Sequence, residues 1–148
     1  MADDAPPHTA PATGQPGSSD PRRRLGRLGE DLAAAHLQRL GYAMLARNVR
    51  TRHGEIDLIA HRAGVLVFAE VKTARARSQN APARGPALGP LEWLHPRQRA
   101  RLRRLAAAWL GERTNARPPA GVIRFDAVGV TVDARDRLLR LEHIEGAW

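Results

Sequence analysis

The chain has no cysteine among its 148 residues. That excludes disulfides, thiol nucleophiles and zinc–thiolate sites. No apolar run approaches the roughly 18 residues of a membrane span, so no membrane partner is expected. The N-terminus lacks the basic start and apolar stretch of a secretory signal, which points to a cytoplasmic protein. Aromatic residues are few and scattered (three Trp, two Phe, one Tyr), which disfavours a platform for stacking single-stranded bases. The Gly-Lys-Ser/Thr phosphate cradle of an NTPase is missing. The six histidines are scattered, with no metal-helix spacing. Lysine is almost absent as well: of the 24 basic residues 23 are arginine, and the exception is Lys72.

What is present suits one domain with a modest core, since 43% of the residues are hydrophobic. The formal net charge is +9, and the first 20 residues carry Asp3, Asp4 and Asp20 but no Lys or Arg, so the other 128 hold +12. That excess is beyond solubility needs and points to a phosphate-bearing partner. Pro6, Pro7, Pro11, Pro16 and Pro21 stand among Ala, Thr, Ser and Gly. Residues 1–21 therefore read as a disordered tail and 22–148 as the folded domain.

From 23 to 40 the pattern is helical, with Leu25, Leu28, Leu32 and Leu40 on one face and Gly41 just past the end. Residues 42–49 read as a strand, followed by a turn at 52–54. Strands at 55–60 and 65–72 flank a tight turn at Ala63-Gly64. Residues 74–92, with Pro82, Pro86, Pro90, Gly85 and Gly89, read as a long loop of the functional kind. Pro96 suits the first turn of a helix ending at Leu110. Its apolar stripe is Leu102, Leu105, Ala106 and Trp109, and Arg97, Arg101 and Arg104 lie opposite. Strands follow at 122–132 and 138–144. The order αβββαββ describes an α/β fold with a mixed sheet flanked by helices.

The hairpin carries the chemistry. Glu55 and Asp57 share a face of one strand, and Glu70 and Lys72 share a face of the next. A two-residue loop sets Arg62 opposite Val65, Asp57 opposite Glu70 and Glu55 opposite Lys72. A four-residue loop keeps Asp57 and Glu70 on one face, whereas a three-residue loop with a bulge breaks the register. Two carboxylates with Cβ atoms about 4.5–5.5 Å apart do not both stay ionised without a cation. Oxygen ligands select Mg²⁺ or Mn²⁺, with the Val71 carbonyl assisting. The Lys72 ammonium is a compact charge that orients water, a task for which guanidinium is unsuited. A metal ion with an activated water is the machinery of phosphodiester hydrolysis. An isolated Glu-x-Lys is commonly two solvated residues, but the apolar strand, the facing carboxylate and the lone lysine favour a site.

A carboxylate on one strand followed by Glu-x-Lys on the next resembles the PD-(D/E)xK nuclease superfamily, whose restriction-endonuclease-like αβββαβ core agrees with this order. More closely, Gly29-Glu30, Leu40-Gly41-Tyr42, Asn48-Val49-Arg50, Gly54-Glu55-Ile56-Asp57-Leu58-Ile59, Val67-Phe68-Ala69-Glu70-Val71-Lys72 and Arg124-Phe125-Asp126 resemble the YraN-like family of uncharacterised bacterial proteins. That family is similar to Holliday-junction resolvases. The resemblance implies Asp57 and Glu70 as metal ligands, Lys72 as the catalytic lysine and Glu30 as a helix-borne accessory carboxylate. It also implies action on structured or branched DNA, with a homodimer as in junction-cleaving relatives. Two departures stand out. Thr73-Ala74 separates Lys72 from Arg75, and Arg97-Gln98 opens the second helix where relatives often have lysine.

Glu55 and Asp126 are further candidates, although Glu55 could pair with Lys72 or an arginine, and Asp126 lies on the same strand face as Arg124. Arg75, Arg77, Arg97, Arg101 and Arg104 are expected to hold nucleic-acid phosphates, of DNA or RNA. The expected function is a Mg²⁺-dependent endonuclease. The competing reading is a non-catalytic nucleic-acid-binding or adaptor protein on the same fold. An accessory role in translation fits the charge but leaves the hairpin carboxylates unexplained.

Overall fold

The computed structural model describes residues 20–76, 95–112 and 116–148. Its elements are α1 (Pro21–Arg39), β1 (Ala43–Thr51), β2 (Gly54–Arg62), β3 (Val65–Arg75), α2 (Pro96–Gly111), β4 (Val122–Val132) and β5 (Leu138–Ile144). One sheet runs in the order β1-β2-β3-β4-β5. Only β3 and β4 are parallel, and the connection between them contains α2, as a parallel pair requires. This is the mixed α/β arrangement expected. Among the described residues no helix is long and apolar enough to cross a membrane. The expected tail lies, up to residue 19, outside the described residues, as do 77–92 of the expected loop.

α1 begins two residues before the periodic pattern suggests. Asp20 caps it by accepting the Arg22 N–H at 3.0 Å, and Pro21 occupies the first turn. Pro21 thus belongs to the helix, not to the tail. Gly41, with φ +88°, closes the other end. Its N–H reaches Gln38 O at 2.9 Å and the Tyr42 N–H reaches Leu37 O at 3.0 Å, a paired closure that needs a left-handed residue.

The helix buries Gly29, Ala33, Ala34 and Leu37. Leu25, Leu28 and Leu32 pack alongside, only partly buried, and Leu40 is 39% exposed at the cap. The leucine face read from the sequence is therefore displaced toward the small residues. The reason is close approach: a Cβ on Gly29 would lie 1.8 Å from Thr73 Oγ1. α1 rests directly on the last residues of β3.

The sheet separates two apolar clusters. α1 covers Leu58, Ala60, Val67, Ala69, Val71, Val128, Val130 and Val132. On the other face Leu102, Leu105, Ala106 and Trp109 of α2 cover Ile56, Ile59, Leu66 and Phe68. Residues of β3 alternate between the clusters, which places Glu70 and Lys72 on the α2 side.

Gly29→Ala should destabilise the protein by about 1–3 kcal/mol through overpacking, although alanine gains about 1 kcal/mol of helix propensity. Thr73→Ala should recover part of that loss. Chemical denaturation of the two single variants and the double variant measures both, and an unchanged midpoint for Gly29→Ala would contradict the close seating of α1.

Candidate active site

The turn at Ala63-Gly64 has φ +48° and +78°, a two-residue hairpin turn of type I′. It sets the expected register, from Arg62 opposite Val65 to Leu58 opposite Ala69. Pairing stops there. Val65, Val67, Ala69 and Val71 direct their backbone groups toward β2, so the regular partner of Val71 would be Ile56. Instead the Val71 N–H donates to Asp57 Oδ2 at 2.7 Å. The carboxylate ends the ladder in place of a backbone carbonyl. The Val71 carbonyl projects from the same edge.

On the neighbouring residue Glu70 is 6% exposed. Lys72 Nζ donates to Glu70 Oε1 at 2.7 Å, with the lysine side chain 34% exposed. Asp57, Glu70 and Lys72 are thus gathered at the end of the β2–β3 ladder. Glu55 is not part of that trio. It lies opposite Arg50 on β1, with Arg50 Nε 3.6 Å from its Oε2. The expected Glu55–Lys72 facing pair does not form, because β2 leaves β3 before reaching it.

Burial, then the neighbouring Glu70, pushes the Asp57 carboxyl from an ordinary 3.8 up to about 7; the Val71 N–H and Lys72 only partly offset this. Glu30, next to the close contact of α1 with β3, is also pushed up. Burial is the larger cause, a hydrogen bond from Asn48 opposes it, and Glu55 adds to it. Oε2 of Glu30 is buried without a hydrogen-bond partner among the described residues. The site therefore carries more buried negative charge than its single ammonium balances. That fits a hard cation held by Asp57, Glu70 and the Val71 carbonyl, with water completing its shell. Among the described residues no three carboxylates or imidazoles converge on one point, so protein ligands alone do not form a closed cage.

The arginines fall into separate groups. Arg97 and Arg104 are exposed on α2. Arg101 is half-buried, not on the opposite face, because α2 lays it against the start of β2: its Nη1 is 2.9 Å from where a Cβ on Gly54 would stand. Arg75 is tied to the β4–β5 turn, donating to the Asp133 carbonyl and to Asp136. Arg77 lies outside the described residues.

Asp126 faces α1, across the sheet from Glu70. It is fully buried and accepts two N–H groups of Arg124, both at 2.8 Å, His143 Nε2 at 2.8 Å and the Gly146 N–H at 3.0 Å. Burial raises its carboxyl, but these donors outweigh that and hold it below the usual range. His36 Nε2 adds a contact to His143 Nδ1 at 3.2 Å. The sequence gives no hint of this pairing, which joins histidines 107 positions apart.

A further residue escaped the sequence reading. Asn48 has φ +51° inside β1, and its amide offsets part of the rise at the Glu30 carboxyl. The available signal is chemical: asparagine is among the few non-glycine residues that take this conformation readily.

The raised carboxyl of Asp57 gives a stability prediction. Between about pH 4 and pH 7 the folded state holds a proton that the unfolded state has lost, so Asp57 makes the metal-free protein less stable as pH rises through that window. Asp57→Asn keeps an acceptor for Val71 and should raise Tm in chelator-containing buffer, most above pH 7, with the gain vanishing toward pH 4. A pH series of thermal melts measures it, and a gain independent of pH would contradict the assignment.

The chain matches the sequence profile of uncharacterised protein family UPF0102 over residues 29–130. It is 41% identical over 140 residues to a UPF0102 protein of Acidothermus cellulolyticus, covering 89% of this chain and 98% of that one. A UPF0102 protein of Parafrankia is 46% identical over 126 residues, covering 85% and 97%. One of Moorella thermoacetica is 41% identical over 127 residues, covering 86% and 97%. The matched span holds Glu30, Asp57, Glu70 and Lys72 together, and the chain belongs to the uncharacterised protein family UPF0102, the YraN-like family.

Proposed function

We propose that the protein is a metal-dependent nuclease that hydrolyses phosphodiester bonds in structured or branched DNA. One observation carries the reading: Asp57, Glu70 and Lys72 meet where the β2–β3 ladder ends, and their negative charge is undercompensated. Asp57, Glu70 and the Val71 carbonyl would hold Mg²⁺ or Mn²⁺. When bound, such an ion polarises a phosphoryl oxygen and lowers the pKa of water.

The chain's own groups do the remaining work. Val71 fixes the Asp57 carboxylate through its N–H. Glu70 anchors the Lys72 ammonium, which is partly exposed and can hold a water in line with a phosphodiester. Arg97 and Arg104, with Arg101 nearer the sheet, neutralise backbone phosphates. The choice of branched DNA follows the resemblance of the hairpin to junction resolvases, and a homodimer would present two such sites to one junction.

A second reading, a non-catalytic nucleic-acid-binding or adaptor protein, is favoured by the lack of three converging ligands among the described residues. The two readings part on a panel of branched, flapped and duplex DNAs and matched RNAs, incubated with Mg²⁺ or Mn²⁺. Asp57→Ala, Glu70→Ala and Lys72→Ala should each lower cleavage about 10²-fold or more. Lys72→Arg should be equally inactive despite keeping the charge. Cleavage unaffected by these substitutions, or binding without any product, would sink the nuclease reading. Arg97→Ala and Arg104→Ala should weaken DNA binding across all sequences and lower the salt slope by about 0.9 per lost phosphate contact.

A further inference from the structure

We infer that Arg101 and the bare backbone of Gly54 form a built seat for one nucleic-acid phosphate, which fixes the strand against Lys72. The inference rests on the reading of Asp57, Glu70 and Lys72 as a nuclease site and adds a binding residue to it.

Unanswered charge carries the argument. α2 holds five arginines, at 97, 99, 101, 103 and 104, and no acidic residue. Arg97, Arg101 and Arg104 follow at i, i+4 and i+7, so they share a side of the helix and repel one another. Arg97 and Arg104 are exposed, and water screens them. Arg101 is half-buried, and its Nε is buried with no hydrogen-bond partner among the described residues. A charge removed from water is ordinarily paired. The two nearby carboxylates of β2 and β3 are already engaged, Glu55 by Arg50 and Glu70 by Lys72.

The backbone is shaped to admit the guanidinium. Gly54 has φ +141°, a conformation that glycine takes freely. A Cβ there would stand 2.9 Å from Arg101 Nη1 and 3.5 Å from its Cζ, with Leu105 Cδ1 at 3.4 Å. Any side chain at this position would displace the guanidinium. Packing thus holds Arg101 at a fixed place and leaves its charge over.

That place favours a nucleic-acid phosphate. Ile56 packs toward α2, and Gly54, two residues earlier, faces the same way. Glu70 and Lys72 lie on that face as well. Gly54 stands three residues before Asp57, about 10 Å along an extended strand. Arg101 and the proposed metal ligands therefore meet different phosphates of one strand. A guanidinium can fork onto two oxygens of its phosphate, whereas the exposed arginines of α2 only add to the surrounding field.

Arg101→Met keeps the aliphatic stem and removes the charge. In metal-free, DNA-free protein its denaturation midpoint should equal or exceed that of the parent, since an unpaired, half-buried charge is lost. A lower midpoint would assign Arg101 to the fold and overturn the inference. Affinity for duplex and branched DNA is measured by fluorescence anisotropy in chelator, where no strand is cut. Arg101→Met should weaken it about 10-fold, more than Arg97→Ala or Arg104→Ala does. Arg101→Lys should not restore it, because an ammonium cannot fork. A loss no larger than at the exposed arginines overturns the inference. Inorganic phosphate is the control for a free anion. If it raises the Tm of the parent while Arg101→Met binds DNA normally, the seat belongs to free phosphate and the inference fails. If Arg101→Met loses DNA affinity and the parent cuts no DNA with any metal, the nuclease reading falls and the seat stands. If the parent cuts DNA and Arg101→Met binds it as tightly, the seat alone fails.

Discussion

A backbone N–H at the inner edge of a sheet needs an acceptor. At Val71 the natural acceptor has gone, because β2 turns away after Leu58, and Asp57 replaces it with a side-chain oxygen. Much of the site follows from that substitution. The hydrogen bond fixes the carboxylate beside Glu70, and burial desolvates it. A group that ends a ladder is thereby made into a group with an unusual affinity for protons or cations. The same departure frees the edge of β3 on which the Val71 carbonyl projects, so one kink in the chain prepares two oxygen donors.

Charge then decides what belongs there. Glu70 is nearly buried and is paired with one ammonium, Lys72; among the described residues Asp57 accepts a single hydrogen bond, from a backbone N–H. In a chain that uses arginine at 23 of 24 basic positions, the ammonium stands where three conditions meet. The neighbouring carboxylate is buried, the space beside it is shared with a second carboxylate, and the tip must stay partly exposed. A planar guanidinium would engage both carboxylates at once as a fork. It would neutralise the charge on which the proposed cation binding rests. Lysine compensates Glu70 and leaves Asp57 uncompensated.

The hairpin was legible because its signals are local. Ala63-Gly64 specifies the turn, the turn specifies the register, and the register places Asp57 near Glu70. Strands 122–132 and 138–144 were equally readable from apolar runs bounded by turns. What the sequence hid depends on contacts between distant segments. The leucine periodicity of α1 suggested one face, but the close approach at Thr73 selects the small residues instead. The early start at Asp20 was masked by proline-rich surroundings, although aspartate before proline is itself a start signal. The two-residue turn predicted Glu55 opposite Lys72, but that inference assumed a ladder continuing past Leu58. Asn48 was visible as part of a resembling segment, but its left-handed backbone inside β1 was not.

Two aspartates of the same sheet, Asp126 fully buried and Asp57 partly so, show how structural and chemical roles separate. Asp126 collects four hydrogen bonds from Arg124, His143 and Gly146, and its carboxyl is held low. Its charge is fully answered, so it ties β4, β5 and the C-terminal residues together and has no remaining demand for a ligand. Asp57 has one backbone donor and a like charge beside it, and its carboxyl is pushed high. Folding tolerates that imbalance because the rest of the sheet is apolar and well packed. Burial alone therefore does not mark a site in this protein. The distinguishing quantity is the charge left unanswered after the protein's own donors are counted: it pushes the carboxyls of Asp57 and Glu30 up, whereas that of Asp126 is held down.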